Sequence, residues 1–172
     1  VTLFQGRAAI TGVLTPYSFS GGGLRFRGDA LRMEKCMFID CTANNEGGGC
    51  YFEGSSDLEI FQSSFINCEG GNTGGLYLIP GIGNLTMENL TFSGNSGDNS
   101  SLTGSALHFA GAPGNTTGAF LKHLTFSKNH GGTAGDLHAI HTSVAVANSV
   151  FAFSNPAPTT SGIGGTVTFV GN

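Results

Sequence analysis

The chain contains no tryptophan, and only 10% of its 172 residues are charged. Few stretches are rich in Ala, Glu or Lys, which argues against an architecture built on helices. No apolar run approaches the roughly 20 residues that a membrane-spanning helix needs. Acidic residues outnumber basic ones, 11 to 7, giving a net charge of −4 and an isoelectric point near 5.6. That balance lacks the basic footprint of a nucleic-acid binder, so no nucleic-acid partner is expected. No Cys-x-x-Cys pair occurs among the four cysteines, which removes the commonest zinc pattern. There is no initiator methionine and no signal-like segment. The chain is therefore expected to be a processed product, an excised domain or a partial sequence.

What the chain does have is glycine, 29 residues of it, and short runs of Phe, Val, Ile, Leu and Thr, which favour strands. It also has a repeat. The stretch "CMFIDCTANNEGGGCYF" at 36–52 returns as "SSFINCEGGNTGGLYL", as "LTFSGNSGDNSSLTGSALHF" and, more weakly, as "LTFSKNHGGTAGDLHAI". A period between twenty and fifty residues signals stacked units that bury a core only together.

Two landmarks align the repeat. A Gly-then-apolar step falls at Leu24, Cys50, Leu76, Leu107, Leu137 and Val167, and a Phe at Phe38, Phe65, Phe92, Phe126 and Phe151. Between them a second apolar pair recurs, as in Leu31 and Met33, Leu58 and Ile60, Leu85 and Met87. The spacing then shifts from two to three at Cys36, Ser63, Leu90, Leu124 and Ser149, which marks a bend. Three residues after the Phe come Cys41, Cys68, Asn95 and Asn129. The pattern predicts an all-β fold: a right-handed, single-stranded parallel β-helix of about six rungs with three short strands per rung. One domain is expected over 1–172, with approximate rungs 1–20, 21–46, 47–73, 74–103, 104–134 and 135–162 and the start of another at 163–172.

The steps "GGGL", "GGGC", "GGLY" and "GSAL", with "FIDC", "FINC", "FSGN" and "FSKN", resemble the polymorphic outer membrane protein repeats of bacterial surface β-helices. The resemblance covers roughly residues 21–155, with Cys in place of Asn in two rungs. It implies a pectin-lyase-like architecture displayed at a cell surface, in an adhesin-like role.

Candidate site residues follow from the alignment. Cys41 and Cys68 occupy equivalent positions in adjacent rungs, about 5 Å apart at the parallel-strand spacing. Either a disulfide or two buried free thiols fits that placement. Alternation on the first strand turns Arg25, Tyr51, Tyr77, His108 and His138 away from the core, as an exposed face for a glycan or protein partner. His138 and His141 form His-x-x-His, but no carboxylate or cysteine column joins them, so surface histidines are expected and no metal or cofactor. Polysaccharide-cleaving β-helices need clustered acids, whereas Asp29, Asp40, Asp57, Asp98 and Asp136 scatter over different strands and turns. A non-enzymatic structural or adhesive protein is expected, with a carbohydrate-binding module or inactive lyase-like domain as the alternative. Four sequons, at Asn84, Asn89, Asn99 and Asn115, point to an extracellular or cell-surface glycoprotein. Neither terminal segment reads as a cap. Val1 matches Val167 and Leu3 matches Phe169, so the chain is expected to begin and end at one point of the repeat and to associate end to end, as a filament subunit or as a segment of a longer solenoid.

Overall fold

The computed structural model describes residues 2–4, 7–8, 20–54, 57–97, 105–115, 117–131, 135–152, 154, 160–163 and 166–170. Every regular element among them is a β-strand, and every pairing is parallel. The strands form four sheets, three of six strands and one of five, so the chain coils for about five turns as a β-solenoid.

One turn shows how the sequence drives the coil. Leu58–Phe61 alternates core-facing Leu58 and Ile60 with outward Glu59 and Phe61. Gln62 then takes a left-handed φ of 48°, and the chain turns into Ser64–Ile66, which buries Phe65. Asn67 takes φ 51° and turns it again into the two-residue strand Glu69–Gly70. A loop then leads into Leu76–Pro80, the first strand of the next turn. The first bend recurs at Lys35, Asn89, His123 and Asn148, all with φ between 49° and 57°. Asn is among the non-glycine residues that tolerate this conformation best.

Expected and observed columns agree over most of the chain. Phe38, Phe65, Phe92, Phe126 and Phe151 share one sheet in unbroken register. Their rings stack 4.6–5.1 Å apart, within 9° of parallel. Full burial of one such side chain stabilises the fold by about 1.5–3 kcal/mol. The two sequence landmarks meet here. A Cβ at Gly49 would stand 2.8 Å from the Phe65 ring and 2.8 Å from the Gly75 carbonyl oxygen, so the glycine before the apolar strand makes room for the ring of its own turn.

Three expectations are corrected. Among the described residues, the turns that begin at Leu24, Cys50, Leu76 and Leu107 each add a fourth strand to the three expected, because Thr42–Ala43, Glu69–Gly70, Ser96–Gly97 and His130–Gly131 pair, with Arg7–Ala8, as a narrow fourth sheet. Two-residue strands such as Glu69–Gly70 and Ser96–Gly97 leave no apolar alternation to read. Val167 does not continue the first-strand column: Val167–Val170 pairs with Val144–Ala147 of the second sheet, and Thr160–Ile163 takes the place beside Leu137–Ile140. Leu3 pairs with Phe38 in the third sheet whereas Phe169 pairs with Val146 in the second, so these two are not equivalent, and Val1 lies outside the described residues. Nor does the Phe stack end bare. Phe169 sets its ring edge-on at 80° to Phe151, 5.7 Å away, and covers part of it.

Candidate functional site

The column of unusual side chains forms a second ladder on the first-strand sheet. Parallel register places Arg25, Tyr51, Tyr77, His108 and His138 in successive turns. The Arg25 guanidinium lies 5.5 Å from the Tyr51 ring centroid. Tyr51 stacks on Tyr77 at 5.8 Å, and Tyr77 on His108 at 4.7 Å. His108 then meets His138 edge-on at 4.7 Å and 88°.

This ladder is not the exposed face that strand alternation suggested. Tyr51 and His108 are 2% exposed and His138 is fully buried, while Arg25 and Tyr77 are half-buried. Alternation does turn these side chains away from the Phe core, but the outer face of this sheet is covered as well. Glu46 lies nearby, accepting hydrogen bonds from the Ser20 hydroxyl and from Asn72 Nδ2, the latter at 3.3 Å. Tyr51 Oη donates to Glu53 Oε2 at 3.0 Å, and Arg27 Nε pairs with the same oxygen at 2.8 Å.

Burial decides the protonation of the ladder. Desolvation, and then the neighbouring His138, push the His108 imidazole down to about 3, so it is neutral at pH 7. Neither ring nitrogen of His108 has a hydrogen-bond partner. Burial and then Glu46 push Tyr77 up to about 12, and burial with the Glu53 hydrogen bond pushes Tyr51 upward too. Tyr51 and the neutral His108 thus stack away from solvent, while Tyr77 keeps part of its ring in water.

A polar ladder inside the coil was only partly legible. Asn95 Oδ1 accepts from the Cys68 amide at 3.0 Å, and Asn129 Oδ1 from the Asn95 amide at 3.0 Å. Asn129 Nδ2 donates to Asp136 Oδ1 at 2.9 Å, and Ser154 Oγ to the same oxygen at 2.8 Å. Asp136 is fully buried, its Oδ2 has no partner, and burial raises its pKa against the opposing pull of those two donors. Asp136 sits one residue before Leu137, as Gly49 and Gly75 precede Cys50 and Leu76. That coincidence was the available signal for a core carboxyl.

Cys41 and Cys68 stack in this ladder as expected, but they are not bridged, and all four cysteines are free. Cys41 and Cys68 each sit between two strands of their turns, at equivalent places in successive turns. Cys41 Sγ donates to Ile39 O at 3.4 Å, and Cys68 Sγ lies 3.4 Å from Ile66 O. Burial pushes the Cys68 thiol up to about 12, which removes the thiolate that exchange chemistry needs.

The sequons differ in setting. Asn84 and Asn89 are exposed. Asn115 is tied down: its Nδ2 donates to Pro80 O at 3.1 Å, and its Oδ1 accepts from the Thr117 amide at 2.8 Å. Asn99 lies outside the described residues. A groove of about 590 Å³ runs along the narrow sheet beside Thr42, Asn44, Glu69 and Ser96, and Glu69 is the sole carboxylate among the described residues that line it. No group of three or more His, Cys, Asp or Glu is placed to hold a metal among the described residues. Comparison with family models, curated proteins and solved structures finds no match to the chain.

Proposed function

We propose that this β-solenoid is a non-enzymatic structural or adhesive protein of the extracellular space or cell surface. The observation that supports it best is the pair of ring ladders, one on each face of the coil wall. Tyr51, Tyr77, His108 and His138, the side chains best suited to grip a sugar or activate a water, are packed against one another across successive turns. They hold neighbouring rungs together, as the Phe stack does inside. Exposed Asn84 and Asn89 suit a glycosylated surface, and the resemblance to polymorphic outer membrane protein repeats points to surface display. A carbohydrate-binding reading would need the Tyr and His faces open, and two of those rings are 2% exposed.

The test is incubation of the full chain with a panel of neutral and acidic polysaccharides. Binding is followed by calorimetry, and cleavage by new reducing ends or unsaturated products. Neither cleavage nor saturable binding is expected. Saturable binding lost in Tyr77→Ala would replace the structural reading with the carbohydrate-binding one.

A further inference from the structure

We propose that the outer face of the third sheet is an ice-binding face, an uncharged array of hydroxyl and methyl groups that adsorbs to the surface of ice. The inference goes beyond the structural reading above and concerns a face that neither ring ladder occupies.

The first observation is how flat and regular this face is. It is carried by the residues on either side of the Phe in Met37–Ile39, Ser64–Ile66, Thr91–Ser93, Thr125–Ser127 and Val150–Ala152, five strands in unbroken parallel register. Adjacent strands of an ordinary sheet rotate by about 20–25°. Here successive Phe rings lie within 9° of parallel and 4.6–5.1 Å apart, so the strands that carry them have little of that twist. The outward groups therefore repeat about every 4.8 Å along the coil and about every 6.6 Å across it.

The second observation is the chemistry of the array. Ser64, Thr91, Ser93, Thr125 and Ser127 give it hydroxyls, and its other outward positions are Met, Ile, Val and Ala. The Ser127 hydroxyl donates to the Ser93 hydroxyl at 3.2 Å, so neighbouring rungs orient each other's groups. None of these outward positions is charged. By contrast, the outer face of the second sheet carries Arg32, Glu34, Glu59, Glu88 and Lys122. Met37, Thr125 and Val150 are exposed, and the remaining outward residues of the array are half-buried.

These properties select the ligand. A charged side chain would have to give up its hydration against a neutral surface, at a cost that nothing there repays. A hydroxyl donates one hydrogen bond and accepts two, so it can stand in for a lattice water. A methyl group restricts the orientations of the water around it. Ice presents neutral oxygens at comparable spacings on its prism faces. A flat array of hydroxyls and methyls can hold first-layer waters in lattice positions, and every rung adds the same small contact. A second copy of the chain fits less well. The array spans roughly 240 Å² at these spacings, far below the about 800 Å² that each partner buries in a stable interface.

The experiment is growth of single ice crystals in solutions of the full chain, read as thermal hysteresis and crystal shape, with sedimentation velocity of the same samples. The unaltered protein should open a gap between melting and freezing points and facet the crystals. Thr91→Lys combined with Thr125→Lys should lose both effects while the circular dichroism spectrum is unchanged. If the double variant unfolds, Thr125→Lys alone, at an exposed position, carries the same test. Thr86→Lys, on the outer face of the second sheet between Glu59 and Phe120, should keep both effects. Rounded crystals with no gap at any protein concentration overturn the inference, as do full activity in the double variant and equal loss in Thr86→Lys. Self-association that the double variant abolishes, without any effect on ice, overturns it too and assigns the face to a second copy. The two proposals fail separately: inactivity toward ice leaves the structural reading standing, which fails only on polysaccharide binding or cleavage.

Discussion

Two ladders of rings run the length of this coil, one on the inner side of its wall and one on the outer side, and they obey different physics. The inner ladder is Phe in each of five successive turns, stacked nearly parallel and almost wholly buried up to Phe126. Its stability is a matter of apolar area and ring contact, and one residue type serves every rung. The outer ladder changes residue at two of its four steps, from Arg to Tyr and from Tyr to His, and it ends on an edge-on pair. Its rings have polar atoms to satisfy, and His108 leaves two nitrogens without partners. A buried stack can thus be built from polar rings, but each unsatisfied atom costs free energy that a Phe would not.

The sharpest way to separate the ladders is to cut each in its middle. Phe92→Ala removes a fully buried ring between Phe65 and Phe126 and should cost about 3–5 kcal/mol. Tyr77→Ala, at a half-buried ring, should cost less than half of that. Urea titration of both variants checks the difference, and equal losses would erase it.

Acid should attack the outer ladder alone. Below about pH 6.5 the unfolded chain takes up a proton at His108 that the folded chain refuses until about pH 3. A group whose folded pKa is depressed in this way costs stability as pH falls through that window, by about 1.4 kcal/mol per pH unit. Stability should therefore drop by roughly 3 kcal/mol between pH 6.5 and 4.5, and His108→Phe should remove most of that slope. A variant with the parent's slope would show that His108 is not the group responsible.

The polar ladder inside the coil predicts a smaller loss. Asn129→Ala removes the acceptor of the Asn95 amide and one of the two donors to Asp136 Oδ1, and should cost about 1–3 kcal/mol. Raising the pH should deepen the loss, because a raised folded pKa at Asp136 means that its ionised form is the destabilising one. A pH-independent loss would contradict this. The smallest effect belongs to Tyr51→Phe, which loses only the hydrogen bond to Glu53 and should cost about 1 kcal/mol or less by thermal denaturation.

How legible these ladders were depended on the residue type. Phe38, Phe65, Phe92, Phe126 and Phe151 recur at an offset that only one register satisfies, so their column could be drawn before any coordinates. The bend at Asn89 was legible for the same reason, because its spacing breaks an otherwise strict alternation. Alternation gives the Tyr and His column its strand and register but not its burial. Alternation says which side of a strand a residue occupies and nothing about what covers that side. "TVTFV" carries the alternation of either of two columns, and the pairing of Val167 with Val144 settles which one it joins. The spacing puts the thiols of Cys41 and Cys68 in one column, but whether adjacent thiols bridge depends on where each sulfur points, and here the Cys41 sulfur reaches Ile39 O while the Cys68 sulfur reaches Ile66 O and Phe38 O.

By itself, then, the order of residues determined the coil: a period near thirty, glycine before an apolar strand, Phe after a bend, and Asn or Cys behind the Phe. Those are local rules of sterics and alternation, and they repeat because each rung must match its neighbour. Only the tertiary structure decided which faces meet water. It closed the outer ring ladder, buried Asp136, added the narrow fourth sheet and left Phe169 and Val170 open at one end. Burial is a property of what the rest of the chain does in space, and no window of sequence contains it.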